Sequence, residues 1–302
     1  MMLAGKTDVK TKNGDNTQKR SQVGAIWFRY KKNRLAMIGL ILLAVLILLA
    51  VGAPLLADYE QDAVSQNMKM RFQPPSIQNG HIFGTDHYGR DVFARVIFGG
   101  RISLFVGLAS VAISALVGTV IGAAAGYYGG KIDNVLMRTM DVLLAIPQTL
   151  LAISIVAALG PGMGNLLIAM SISGVPEFSR IVRASVLNIK DQEFVEAAIA
   201  CGTRDGRIIR KHIVPNAIGP LIVQATLGVA KAILSISALS FIGLGISPPT
   251  PEWGSMLSES KSQMRMYPYL VIIPGIAIML SVVALNLIGD GLRDSIDPRL
   301  KN

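Results

Sequence analysis

Apolar residues along this chain fall into long blocks that are nearly free of charge, separated by shorter polar stretches. Residues 35–57 contain no charged side chain at all. Further blocks cover about 102–126, 135–159, a stretch from about 165, 217–244 and 269–292. A helix of roughly 20 apolar residues crosses the hydrocarbon core of a bilayer, whereas core helices of soluble domains are shorter and amphipathic. Helices also satisfy their own backbone hydrogen bonds, as a membrane interior demands. The pattern predicts an all-α polytopic membrane protein with six transmembrane helices.

Local signals refine those blocks. Gly118, Gly122 and Gly126 recur at four-residue spacing, on one helix face, where they let a neighbouring backbone come close. Gly129 and Gly130 should end that helix. Pro147 is expected to bend the third span, and Pro176 to interrupt the fourth, which Glu177, Arg180 and Arg183 then continue as a polar stripe. Those three, at three-residue spacing, are expected to form an ion-pair stripe within their own helix. Pro215 marks an expected break before the fifth span.

Charge fixes the expected orientation. Residues 1–34 hold nine of the 29 Lys and Arg against two acids, whereas segment 58–101 has five of each sign. Segment 188–216 is basic again, with Lys190, Arg204, Arg207, Arg210 and Lys211. By the positive-inside rule both termini and segment 188–216 lie in the cytoplasm, and 58–101 and the proline-rich segment around Pro248, Pro249 and Pro251 lie outside. The expected organisation is a polar tail and interfacial helix (1–34, disordered to about residue 22), a first transmembrane helix (35–57), an extracytoplasmic segment (58–101), a five-helix core (102–292) and a short cytoplasmic tail (293–302). Trp27, Phe28 and Tyr30 interleaved with Arg29, Lys31 and Lys32 suit a helix in the headgroup layer.

Composition agrees: 51% of the 302 residues are hydrophobic and 16% charged, against about a quarter charged in soluble domains. The net charge of +10 follows from topology and does not indicate nucleic acid. A single cysteine, Cys201, excludes internal disulfides and multi-cysteine metal sites, and it is expected to pack as a small residue. No phosphate-binding Gly-x4-Gly-Lys-[Ser/Thr] loop, metalloprotease helix or nucleophile elbow occurs, so catalytic residues are not expected. His81 and His87, six apart beside Asp86 and Asp91, are too few for a metal site. Within the spans Lys231 stands out, because a mid-membrane charge costs at least about 2.5 kcal/mol. It either lines a translocation path, or snorkels or pairs with a carboxylate on a partner helix; Gln224, Asn286 and Asp290 are weaker polar candidates.

The most informative stretch runs from Glu193 through Glu196-Ala197-Ala198 to Gly202, Asp205 and Pro215. Glu-Ala-Ala forms helix readily and Gly202 should terminate it, giving a short knob suited to docking another protein. Glu-Ala-Ala-x3-Gly followed by a proline resembles the EAA loop of bacterial ABC importer permeases. Asn33-Arg34-Leu35-Ala36, Phe83-Gly84-Thr85-Asp86-His87-Tyr88-Gly89-Arg90-Asp91, Pro248-Pro249-Thr250-Pro251-Glu252-Trp253-Gly254, Asn286-Leu287-Ile288-Gly289-Asp290-Gly291-Leu292-Arg293-Asp294 and Asp297-Pro298-Arg299 resemble the C-type subunit of dipeptide, oligopeptide and nickel permeases. His212 and Val214 depart mildly from the loop pattern.

That resemblance implies a type I ABC importer (MetI-like) permease fold in the bacterial plasma membrane. It further implies a B-type permease partner, two ABC ATPase subunits holding ATP and magnesium, and an extracytoplasmic binding protein; no cofactor is expected in this chain. Glu193, Glu196, Ala197, Ala198, Gly202, Asp205 and Pro215 would form the coupling element on the ATPase. Import of di- and oligopeptides is the leading expectation. Import of nickel or a metal chelate is the alternative, and a membrane receptor signalling through its cytoplasmic loop is the reading from another class.

Overall fold

A computed structural model describes residues 22–296; the expected disordered tail before residue 22 and the Asp297-Pro298-Arg299 motif lie outside the described residues. The described residues are mainly helical and form no strand. In order the helices are α1 (Gln22–Lys32), α2 (Arg34–Val51), α3 (Val92–Tyr128), α4 (Gly130–Ala145), α5 (Gln148–Leu159), α6 (Met163–Ile189), α7 (Glu193–Ala200), α8 (Val214–Phe241), α9 (Trp253–Ser260) and α10 (Tyr269–Ile296). Segments 58–91 and 242–268 gather at one end of the bundle, here the upper end; α7, the start of α8 and the end of α10 lie at the lower end.

Helices α3 and α6 form the centre. Along α3, a Cβ at Gly118 would sit 2.5 Å from Phe178 Cβ, and one at Gly126 would sit 2.8 Å from Val186 Cβ. At Gly122 it would collide with the carbonyl oxygen of Ser179. The glycine face therefore seats α6 backbone against α3 backbone, as its spacing predicts. Ser114 donates to the Ser171 carbonyl at 2.8 Å across the same interface. Where the backbones part, Val106, Val111, Phe178, Ile233 and Ile236 fill the space between α3, α6 and α8. Helix α2 packs on α10 by the same device, since a Cβ on Gly39 would meet Leu287 and the Ala284 carbonyl.

The upper end is tied by buried charge. Arg90 donates to Asp86 at 2.6 Å and to Glu259 at 2.9 Å, and Arg95 donates to Glu259 at 2.8 Å. Both arginine side chains are 1% exposed. Fully buried Glu252 caps α9, accepting from the Gly254 and Ser255 amides, and also receives the Ser103 hydroxyl. Trp253 donates its indole N–H to the Val96 carbonyl, and Tyr269 donates to the Thr85 carbonyl. His81 bonds Asp91, which caps α3. Burial pushes the His87 imidazole below its ordinary range; the nearby Asp86 and Glu259 charges oppose that shift, and Arg90 and Arg95 add to it.

Several boundaries differ from the sequence expectation. Helix α3 starts ten residues earlier than expected, because Arg95 turns inward to the buried carboxylates rather than marking a polar boundary. The expected 35–57 span stops at Val51; a further turn, Ala53–Leu56, follows Gly52 and contains Pro54. At Pro147 the third block is sharply broken, with α4 and α5 at 86° to each other. Pro176 does not interrupt α6, which runs through it. Nor does Pro215 break the chain before α8: residues Asp205–Phe241 form one helical run, and a π-turn over Ile209–Ile213 absorbs the proline. By length and composition α2, α3, the Asp205–Phe241 run and α10 can each cross a membrane, and α4 with α5 makes a fifth crossing if they act as one. The sixth expected span is α6, 27 residues long but charged over its lower half.

Two predictions follow from this packing. Gly122→Ala should lower the midpoint of thermal unfolding, by the equivalent of about 1–3 kcal/mol for an overpacked contact. Gly164→Ala, whose Cβ meets nothing within 4 Å, should not lower it. At the upper end, Glu259→Ala leaves Arg90 and Arg95 sharing one carboxylate; a cost of about 3–5 kcal/mol is expected, seen as faster proteolysis of segment 58–91.

Candidate functional site

At the lower end α7 stands on an apolar pedestal. Val195, Ile208 and Ile213 are fully buried against Val182, Val186 and Ile189 of α6 and Ala217 of α8. Glu193, Phe194, Glu196, Ala197 and Ile199 are exposed, while Ala198 is half-buried. The eight-residue helix ends in a Schellman motif: the Thr203 amide donates to the Ala198 carbonyl at 3.1 Å and the Gly202 amide to the Ile199 carbonyl at 2.8 Å. Gly202 has φ of +70°, which favours glycine, and open space surrounds its missing side chain. Tyr127, at the lower end of α3, donates to Asp205 at 3.0 Å and anchors the far side of the loop.

The structure thus brings Glu193, Glu196, Ala197, Ala198 and Gly202 together on one projecting surface. Asp205 joins them at its edge, and exposed Pro215 sits in the first turn of α8. Cys201 is exposed at the cap, which corrects its expected role as a packing residue: the helix turns its Val195 face inward and leaves its C-cap outside.

A second polar region follows α6. The expected intrahelical stripe of Glu177, Arg180 and Arg183 is corrected by the structure, because each side chain reaches another helix. Arg183 makes a bidentate pair with Asp133 of α4, both bonds 2.6 Å. Arg180 binds Asp141 of α4 at 2.6 Å, and Glu177 accepts from Lys231 of α8 at 3.3 Å. Inter-helix partners at these distances outcompete same-helix neighbours because bidentate, fixed geometry strengthens charged hydrogen bonds. Open cavities of about 460 and 420 Å³ meet at Arg180, the second lined also by Gln148, Ser173 and Glu177.

Lys231 therefore pairs with a carboxylate of its own chain, on a face where its side chain remains 63% exposed. Gln224 lines an adjoining groove of about 500 Å³ with Ile181 and Pro220. Asn286 is exposed on α10 and lines none of these grooves. Sequence reasoning missed Asp133 and Asp141. Both lie in a helix that also carries Lys131, Asn134, Arg138 and Thr139, so spacing alone did not single them out.

The lower end thus presents a projecting helix on an apolar pedestal, beside membrane-length helices that carry paired charges along an open face. Residues 118–302 match the family of binding-protein-dependent transport system inner membrane components, and residues 21–75 match the N-terminal transmembrane domain of oligopeptide transport permease C. The chain belongs to this family of inner membrane components. It is 49% identical over 272 residues to the dipeptide transport system permease protein DppC of Alkalihalophilus pseudofirmus, covering 90% of this chain and 88% of that protein. It is 42% identical to DppC of Haemophilus influenzae (91% and 94% covered) and 42% identical to the glutathione transport system permease protein GsiD of Escherichia coli (94% and 93%). Among solved structures, an amino acid ABC transporter superposes with a TM-score of 0.51 at 18% identity, over 65% of this chain and 91% of that one. The inward-facing methionine ABC transporter MetNI gives 0.50 at 18% identity, over 64% and 94%. These two establish the MetI-like fold.

The pedestal makes a direct prediction. Val195→Asp places an uncompensated carboxylate in a fully buried site and should release α7, accelerating tryptic cleavage at Arg204 and Arg207. Ile199→Ser, on the exposed face, should leave cleavage unchanged.

Proposed function

We propose that this chain is the C-type transmembrane subunit of an ATP-driven, binding-protein-dependent importer of di- and oligopeptides. The observation that carries the proposal is α7: a short, capped helix whose inner face is locked to α6 and α8 and whose outer face is free. A partner gripping that outer face moves α6 and α8 with it, because Val195, Ile208 and Ile213 are embedded between them. The partner in this reading is an ABC ATPase subunit, and Glu193, Glu196, Ala197, Ala198 and Gly202, with Asp205 and Pro215 at the edge, form its seat.

The lower end is then cytoplasmic, in keeping with its basic residues Lys190, Arg204, Arg207, Arg210 and Lys211, and both termini lie there. The upper end faces the binding protein. A B-type permease completes the translocation path against the face where Lys231 and Gln224 lie; Asn286, exposed on α10, stands apart from that face. Hydrolysis takes place on the ATPase subunits, which hold ATP and magnesium. Dipeptides and glutathione in the names of the relatives support a peptide cargo.

The test is reconstitution of the chain with a B-type permease, two ATPases and the binding protein, measuring ATP hydrolysis with dipeptides, longer peptides or nickel. Peptide should stimulate hydrolysis, and Gly202→Asp should abolish that stimulation in an assembled complex. Stimulation by nickel alone would replace the cargo. Normal stimulation of the Gly202→Asp complex would remove α7 from its coupling role.

A further inference from the structure

The charge pairs on α6 belong to one ladder that crosses three helices. Lys231 of α8, Glu177 and Arg180 of α6, and Asp141 and Arg138 of α4 alternate in sign. Lys231 lies 3.3 Å from Glu177, Arg180 lies 2.6 Å from Asp141, and Asp141 lies 4.0 Å from Arg138. The remaining step, from Glu177 to Arg180, is about one turn of α6, where side chains three apart are neighbours. None of the five is sealed: Lys231, Arg180 and Arg138 are exposed, and Glu177 and Asp141 are half-buried. The open cavities of about 460 and 420 Å³ meet at Arg180, so the middle of the ladder faces open space.

Bonding capacity is left over there. Arg180 uses one guanidinium nitrogen, Nη2, on Asp141, which leaves Nε and Nη1 without a hydrogen-bond partner among the described residues. Glu177 accepts from Lys231 at Oε1 and leaves Oε2 open in the same sense. The two α6 groups thus offer opposite charges from Cβ atoms about 5–6 Å apart. A peptide spans at most about 3.3–3.6 Å per residue, so two or three residues reach both groups with their own charged ends. Leu143, Ile146 and Ile181 give the second cavity an apolar wall for the side chains between them.

We infer that this ladder is a cargo subsite for a short zwitterionic peptide: Arg180 takes the terminal carboxylate through Nε and Nη1, and Glu177 takes the terminal ammonium through Oε2. The inference rests on the reading of the chain as a peptide permease and names the residues that read the cargo's ends. Without cargo, Asp141 and Lys231 are the counter-charges; exposed pairs of this kind are weak enough to exchange for a ligand. A purely anionic or cationic ligand would meet a like charge on the next rung, whereas a zwitterion meets opposite charge at both ends.

Equilibrium dialysis tests this on the assembled complex of this chain with its B-type permease and two ATPase subunits. The binding protein is left out, so that its own selectivity does not enter. Three labelled forms of one dipeptide, alanyl-phenylalanine, are compared: free, N-acetylated and C-amidated. The free form should bind about ten-fold tighter than either blocked form, the effect of losing one charged hydrogen bond. Arg180→Gln should erase the difference between free and amidated peptide and keep that between free and acetylated. Glu177→Gln should do the reverse. Lys231→Gln removes the competitor for Glu177, so it should tighten the free and amidated forms several-fold and leave the acetylated form unchanged.

No retention of the free dipeptide at millimolar concentration would mean that the B-type permease fills these cavities, and would overturn the subsite. Equal weakening of all three forms by the substitutions, with their ratios intact, would mark a structural role and overturn it as well. Retention that is lost once phosphatidylethanolamine is added would give the place to a lipid headgroup with the same two charges. Any of these results beside normal peptide-stimulated ATP hydrolysis sinks the subsite alone. Absence of that stimulation in the wild-type complex with its binding protein would instead sink the permease reading beneath it.

Discussion

Backbone-to-backbone packing of α3 on α6 is the constraint on which the other features rest. Lipid tails are as apolar as leucine, so helices inside a bilayer gain little from hiding apolar side chains from one another. Close approach gains dispersion contacts instead, and only small residues allow it. Gly118, Gly122 and Gly126 supply that approach on α3, and Ser114 adds a hydroxyl that crosses to the Ser171 carbonyl. With α6 fixed in this way, its lower half can carry Val182, Val186 and Ile189 to the underside of the bundle, where they become the pedestal for α7. Helix α7 thus rests on a part of α6 that the Gly122 and Gly126 contacts hold against α3.

The two ends of the molecule use different chemistry for the same purpose. Below, α7 is held by apolar burial and a Schellman cap, which leaves its outer face free for a partner. Above, segment 58–91 has few apolar residues, so charge ties it to α9 instead. Arg90, Arg95, Asp86 and Glu259 form a nearly dry cluster, and each guanidinium has at least one short carboxylate contact. Such a cluster costs desolvation, and removing one member would leave an uncompensated buried charge. Tyr269 and Trp253 complete it with bonds to backbone carbonyls at Thr85 and Val96.

The elements legible in the sequence were those whose signal is local. Four-residue glycine spacing gave the α3–α6 contact, Glu-Ala-Ala with Gly202 gave α7 and its cap, and Pro147 gave the break between α4 and α5. What sequence reading misplaced depends on partners distant along the chain. Arg95 reads as one base of the polar segment 58–101 until Glu259, 164 residues away, makes it a buried residue of α3. Glu177, Arg180 and Arg183 have helical spacing to one another, yet Lys231, Asp141 and Asp133 claim them. Pro215 reads as a break because its missing amide forbids a regular turn; the π-turn at Ile209–Ile213 offers another solution that spacing does not announce. Among the candidate polar residues, Lys231 and Gln224 share a region with α6, and Asn286 stands apart from it.

Those charge pairs along α6 also bear on how a path through this region could work. A lone charge facing a polar path would hold any oppositely charged cargo and repel the other end of a zwitterion. Three pairs of opposite sign present no net charge; the exposed Arg180–Asp141 and Lys231–Glu177 pairs are weak, whereas the bidentate Arg183–Asp133 pair is a firmer tie. The pairs link α6 to α4 on one side and to α8 on the other, which are the helices that a displaced α7 would carry or leave behind. At Pro147 α4 and α5 meet at 86°, so the Arg180 and Arg183 pairs tie α6 to α4 alone. Paired charges thus join α6 to α4 and α8, whereas backbone contact at the glycines joins it to α3, so the residues facing each side of α6 decide which kind of contact holds it there.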